Sequence, residues 1–244
     1  MYKTLNIMGY DIFIDEISKI KIDSNKKQLI NTINPHSYVT AKEDKTFMEA
    51  LQASDTLLPD GSGIVMAAKQ INKANIRKIA GSDLHPYLLS ELEKTGGSVF
   101  YMGASKDTLD KIYKRIAEEY PNVKVGSYSP PFKDEFTEED NVKVIDAVNT
   151  FSPDVLFIGM TAPKQEKWLH VYKDSLNFKI ASSIGAVFDF YAGTVVRPSQ
   201  FWIDIHLEWL PRLLKEPKRL WKRNFVSTPL FLADMMMYKI GIKK

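Results

Sequence analysis

Asp60 is the position in this sequence best suited to proton chemistry. It stands in Pro59-Asp60-Gly61-Ser62-Gly63, directly behind the apolar run Thr56-Leu57-Leu58. A carboxylate at a strand end can take the proton from an attacking hydroxyl, and the same position suits the cap of a helix beginning near Gly63. The residues alone leave both readings open. Thr32 and Asn34, in Thr32-Ile33-Asn34-Pro35-His36, can hydrogen-bond a sugar or orient Asp60, while Asn34-Pro35 equally starts a turn. Gly103-Ala104-Ser105, ahead of a helical run at Lys106, offers backbone N–H groups and a helix dipole to an anion, although one glycine is a weak signal. Gln165 and Glu166 follow Pro163 at a helix start, where a glutamate complements the dipole without any chemistry. Gly185 and Asp189 belong to one more glycine-bearing turn, Gly185-Ala186-Val187-Phe188-Asp189.

Other chemistries lack their residues. There is no cysteine, so no disulfide, thiolate metal site or thiol nucleophile is available. His36, His85, His170 and His206 show no metal-ligand spacing, so no zinc or non-haem iron centre, and no metal site, is expected. The three spaced glycines of a dinucleotide fingerprint are missing, as is the Gly-x-Ser-x-Gly elbow. These residues give no ground to expect a cofactor.

These turns need a frame that brings them together. Short apolar or β-branched runs alternate with helix-period segments, the pattern of βα units in an α/β protein. Strands are expected at 5–8, 28–33, 56–58, 98–102, 123–128, 155–158 and 180–184. Helices are expected at 45–53, 63–71, 84–94, 106–119, 138–151 and 164–173. Ligands of an open parallel sheet bind outside the carboxyl ends of its strands, and every turn named above follows an expected strand. The fold class is therefore a Rossmann-like, largely parallel sheet flanked by helices. After about Arg197 the alternation gives way to a helical, aromatic and basic stretch, which divides the chain into an α/β core, residues 1–197, and an appendage, residues 198–244.

The appendage carries most of the charge asymmetry. The whole chain, 244 residues with 44% hydrophobic and 26% charged, has a net charge of +3. Residues 212–244 hold nine Lys/Arg against two acids, a local +7, and the rest carries 24 bases and 28 acids. Leu213, Pro217, Leu220, Trp221 and Phe225 can share one helical side, with Arg212, Lys215, Lys218, Arg219, Lys222 and Arg223 around them. That is the composition of a helix lying in a membrane interface, and residues 229–242 can lie in the headgroup region beside it. The apolar residues gather on a face instead of interleaving with bases as in nucleic-acid readers, so no nucleic-acid partner is expected. The exposed apolar tail also allows self-association into a homo-oligomer. No apolar run reaches the length of a spanning helix, and the first residues lack a signal-peptide pattern. A cytoplasmic protein, peripheral on the inner face of the cell membrane, is the expectation. Removal of residues 212–244 should leave the core folded.

The ordered set Thr32-Ile33-Asn34-Pro35, Pro59-Asp60-Gly61-Ser62-Gly63, Ala80-Gly81-Ser82-Asp83, Ala162-Pro163-Lys164-Gln165-Glu166, Phe188-Asp189 to Arg197, and Leu207-Glu208-Trp209 with Glu216-Pro217-Lys218-Arg219 resembles the WecG/TagA/CpsF family, glycosyltransferase family 26. The resemblance implies an inverting, metal-independent transfer of a sugar from a UDP-sugar to an undecaprenyl-diphosphate-linked sugar at the cytoplasmic membrane face, in the synthesis of teichoic acid, capsule or exopolysaccharide. N-acetylmannosamine is the commonest donor sugar in the family, with glucose or a uronic acid as alternatives. It places the catalytic base on Asp60 and its polar pocket partners on Thr32, Asn34 and Gln165. It also makes the basic tail a membrane-targeting segment that closes over the site with Arg212 and Arg219, Lys222 and Arg223 nearby. The chain departs from the family at Arg197-Pro198-Ser199, where Arg-Ala-Pro is common, at Pro211, where an aromatic is frequent, and at Lys78, where an arginine is usual. These departures bear on the donor sugar and the angle of the tail, and leave the reaction class intact.

Overall fold

The computed structural model describes residues 2–23, 26–195, 202, 210, 213–214 and 217–243. Its frame is an eight-stranded sheet: β1 (Thr4–Ile7), β2 (Tyr10–Phe13), β3 (Gln28–Ile33), β4 (Thr56–Pro59), β5 (Ser98–Gly103), β6 (Lys124–Tyr128), β7 (Val155–Gly159) and β8 (Ile180–Ser183), in the spatial order β1-β2-β4-β3-β8-β7-β5-β6. Among the described residues only the β1–β2 pair is antiparallel. From β3 the chain moves to β4 on one side, crosses to β5 and β6 at the far edge, and returns through β7 to β8. That last strand fills the place beside β3. The carboxyl ends of β4, β3, β8, β7 and β5 consequently stand in one row.

Alternation along the strands explains why both faces are covered. In β5, Val99 and Tyr101 pack with Leu84, Leu88 and Leu92 of α4 (Gly81–Thr95) and Ile112 and Ile116 of α5 (Lys106–Glu119). Phe100 and Met102 point the other way, toward Val144 and Val148 of α6 (Glu138–Phe151) and Trp168 and Leu169 of α7 (Lys164–Tyr172). A parallel sheet so enclosed has near-continuous apolar strands. A third cluster, around Ile12, Ile33 and Leu57, is covered by α1 (Pro35–Glu43), α2 (Lys45–Gln52) and α3 (Ser62–Asn72). The short α8 (Val187–Tyr191) follows β8 and packs against α4 and α5.

The largely parallel, helix-flanked sheet agrees with the sequence expectation, and three elements differ in detail. The strand expected at 5–8 is the first arm of a hairpin whose second arm, β2, had no counterpart in the expectation. Met8 and Gly9, with φ of 53° and 88°, form the two-residue turn that matches strand twist. The stretch after Asn34, expected as a loop, is α1. Its buried residues Ser37, Tyr38, Val39 and Ala41 form no apolar stripe, so periodicity could not reveal it.

The third difference concerns the C-terminus, where α9 (Pro217–Lys222) runs through a π-helical turn, Arg223–Ser227, into α10 (Thr228–Lys239). Helix α10 packs on α1 and α3. Phe231 is 1% exposed and Met235 5%, both inside the third cluster. Asp234, also buried, accepts from Tyr38 and pairs with Lys42 and Lys243. The segment expected to lie in a headgroup region thus puts one face into the core, so its removal would take Phe231 and Met235 out of the third cluster. The boundary placed near Arg197 falls outside the described residues.

Candidate functional site

At the carboxyl ends of β3 and β4 the backbone is tightly held. The Asp60 amide donates to the Ile33 carbonyl at 2.9 Å, and Thr32 stands opposite Leu58 in the ladder. Gly61, not Asp60, occupies the N-cap of α3, with φ of 97°, so the carboxylate lies one residue outside the cap position. That φ favours glycine, and a β-carbon here would meet Asn34 and Pro35 at 3.8 Å. Gly63 is tighter, since its β-carbon would fall 2.4 Å from Pro35 Cγ. Asp60 and Thr32 are both half-buried at this mouth.

Asn34 has a structural role that limits any other. Its side chain accepts from the amides of His36 and Ser37, both at 3.0 Å, and caps α1. Only Nδ2 is left to meet a ligand. His36 follows in the first turn and its Nδ1 lies 2.8 Å from Ser227 Oγ in the π-helical turn. Burial, reinforced by the charges of Arg223 and Lys222, holds the His36 imidazole below its ordinary pKa. The charges of Lys222 and Arg223 therefore bear on the first turn of α1 through His36. His36 was passed over in the sequence because no partner stood at metal-ligand spacing, and its actual partner is 191 residues away.

The neighbouring strands complete the row. Gln165 opens α7, and its Oε1 accepts from the Met160 amide at 3.2 Å just after β7. Gly185, after β8, donates to Ile158; a β-carbon on it would lie 3.4 Å from both Nε2 and Oε1 of Gln165. Helix α4 begins at the same end, because Ile79 donates to Pro59 and Gly81 sits against Ile184. Thr32, Asn34, Asp60, Gln165 and Gly185 thus all border the ends of four adjacent parallel strands.

Gly103 and Asp189 have structural roles. A β-carbon on Gly103 would fall 2.4 Å from the Gly159 carbonyl, so the glycine permits β5 and β7 to close. The Ala104 amide donates to Gly159, and the Thr108 amide to the Ser105 cap, which removes two donors from the anion cradle expected there. Asp189, within α8, accepts from Thr194 through Oδ1 and its carbonyl and shapes the following turn. Arg197 and Arg212 lie outside the described residues, as does the side chain of Arg219. Among the described residues no three acidic or histidine side chains cluster as metal ligands.

A model of the glycosyl transferase WecG/TagA/CpsF family matches residues 5–244. The chain belongs to this family. Among WecG/TagA/CpsF relatives, it is 33% identical over 224 residues to the N-acetylglucosaminyldiphosphoundecaprenol N-acetyl-beta-D-mannosaminyltransferase of Bacillus subtilis (strain 168), covering 92% of this chain and 85% of the relative. It is 31% identical over 227 residues to the protein of the same name from Bacillus spizizenii (strain ATCC 23059 / NRRL B-14472 / W23), covering 93% and 86%. The Staphylococcus aureus (strain MW2) protein of that name is 24% identical over 248 residues.

Proposed function

We propose that this glycosyltransferase moves N-acetylmannosamine from its UDP conjugate to the N-acetylglucosamine of a diphospho-undecaprenol carrier, with inversion and without a metal ion. The observation that carries the reading is family membership together with two relatives above 30% identity whose names state both the sugar and the acceptor. In this reading Asp60 takes the proton from the acceptor hydroxyl as its oxygen bonds to the anomeric carbon. The bond from that carbon to the diphosphate breaks, and UDP leaves with the electron pair. Thr32, Nδ2 of Asn34 and Gln165 line the pocket. Arg212, Arg219, Lys222 and Arg223 offset the charge that develops on the leaving diphosphate.

The lipid-linked acceptor requires the enzyme to work at a membrane surface, on the cytoplasmic side where UDP-sugars are made. No described helix is long and apolar enough to cross a membrane. Support for peripheral contact comes from Leu214, Trp221, Phe225, Leu230, Met236, Ile240 and Ile242, which are exposed in the C-terminal segment, interspersed with its basic residues. Large apolar side chains in contact with solvent in this number mark an interaction surface.

The test is UDP release from UDP-N-acetylmannosamine with a lipid-diphosphate acceptor, for the parent chain and for Asp60→Asn. Loss of a positioned general base should lower kcat by roughly 10²–10⁴ with UDP affinity nearly unchanged. Parent-like turnover in Asp60→Asn would remove Asp60 from the mechanism. UDP binding without UDP release from any donor would make the chain a nucleotide-binding module, and release from UDP-glucose or a UDP-uronic acid alone would reassign the sugar.

A further inference from the structure

Gln165 is held on three sides before any ligand arrives. Its Oε1 accepts from Met160, its Nε2 donates to Glu166 Oε1 at 2.8 Å, and a β-carbon on Gly185 would lie 3.4 Å from both Oε1 and Nε2 of Gln165. A carboxamide nitrogen carries two hydrogens. One of them goes to Glu166 and one lone pair of Oε1 to Met160, so the second N–H and the other lone pair are what this side chain can offer a ligand.

The group that fixes it is unusual for its surroundings. Glu166 is 4% exposed, and its Oε2 is buried without a hydrogen-bond partner. The neighbouring cations on α7 are engaged elsewhere: Lys164 donates to the Lys133 carbonyl and lies over Phe136, and Lys167 pairs with Asp44 at the start of α2. A charged carboxylate with no cation is expensive in such a place. Burial accordingly pushes Glu166 up to about 7, against the opposing pull of its Gln165 hydrogen bond. Helix α7 covers the sheet face formed by Leu29, Ile158 and Ala181, and on that face Asn31 Oδ1 and Ser183 Oγ are likewise buried without partners. A core position of this kind would be filled more stably by an apolar side chain of similar volume, which points to a requirement other than packing.

We propose that Glu166 is a positioning residue of the donor pocket, whose carboxyl group fixes the Gln165 carboxamide so that its second N–H faces an acceptor oxygen of the nucleotide sugar. This rests on Gln165 being a pocket residue of the glycosyltransferase described above. Glu166 touches neither substrate nor reacting atoms and acts only through Gln165.

The experiment is a double-mutant cycle in the full chain, with KM for UDP-N-acetylmannosamine and kcat measured for Gln165→Ala, Glu166→Met, Glu166→Gln and the double variant Gln165→Ala/Glu166→Met. Methionine fills the volume without an acceptor oxygen, and thermal melts establish that each variant is folded. Gln165→Ala and Glu166→Met should each raise KM about tenfold, the equivalent of one lost hydrogen bond, with kcat changed less. The double variant should be no worse than Gln165→Ala, since residues acting as a unit do not add. Glu166→Gln, which can still accept the Gln165 N–H, should recover most of the loss. A folded Glu166→Met with parent-like KM, or effects that multiply in the double variant, overturns the assignment while leaving Gln165 in the pocket. A parent-like KM in Gln165→Ala overturns both.

Discussion

Replacing Phe231 by alanine tests whether the C-terminal helix belongs to the core. The ring is 1% exposed, meets Tyr38 edge-on with centroids 5.4 Å apart, and approaches Gly63, whose absent β-carbon would lie 3.5 Å from it. Truncating a buried phenylalanine removes its transfer free energy and leaves a cavity, together about 3–5 kcal/mol. For a chain of this length each kcal/mol lowers Tm by about 2–4 °C, so Phe231→Ala should melt roughly 6–20 °C below the parent. Leu230, its exposed neighbour on α10, supplies the control, because Leu230→Ala should stay within about 0.5 kcal/mol. Thermal melts followed by circular dichroism, with denaturant titration for the free energies, read both. A Phe231→Ala protein melting within about 2 °C of the parent would refute the packing argument and return α10 to the status of a separable appendage. The expected result also changes how the tail should be probed. Deleting residues 212–244 would remove Phe231, Asp234 and Met235 from the core, so a loss of activity would say nothing about membranes.

Point substitutions on the exposed side avoid that confusion. Trp221→Ser with Phe225→Ser should weaken binding to anionic vesicles by at least about tenfold in a flotation assay, since each buried ring contributes about 1.5–3 kcal/mol, with Tm nearly unchanged; undiminished flotation would exclude this surface. Glu166 gives a pH signature. The folded chain keeps its proton to about 7 where the ordinary value is 4.5, so stability falls as pH rises from about 4.5 to about 7, by about 3 kcal/mol at 1.36 kcal/mol per pH unit. Glu166→Gln lacks that fall, and its stability relative to the parent should grow over this window, as measured by urea unfolding at several pH values. A difference that does not vary with pH would show Glu166 to be ionised in the folded state.

The sequence by itself determined the parts of this protein that local chemistry controls. The αβ alternation fixed a largely parallel sheet, and α5 and α6 begin and end where their caps and apolar spacing place them, at Lys106–Glu119 and Glu138–Phe151. The expected strands placed Asp60 and Gly185 just after carboxyl ends and Gln165 one turn beyond another, which is where a parallel sheet collects its ligand-binding residues. Helix α1 was the exception with a usable signal, an Asn N-cap followed by proline at the first helical position, which a buried face without an apolar stripe concealed.

Only the tertiary structure decided which neighbours those residues meet. Strand order is a long-range property, and it set β8 between β3 and β7, bringing Gly185 against Gln165. Asn34 and Gly103 carry local signals with two meanings, and packing gives the first a helix cap, with Nδ2 left over, and the second a close strand approach. The orphaned oxygen of Glu166 and the 191-residue reach from His36 to Ser227 have no trace in spacing, because burial and desolvation belong to the assembled core. Basic charge and aromatics mark the C-terminal segment as interfacial in the sequence. That one face of α10 is instead committed to the core follows from Phe231 finding Tyr38 and Gly63, contacts between elements far apart in the chain.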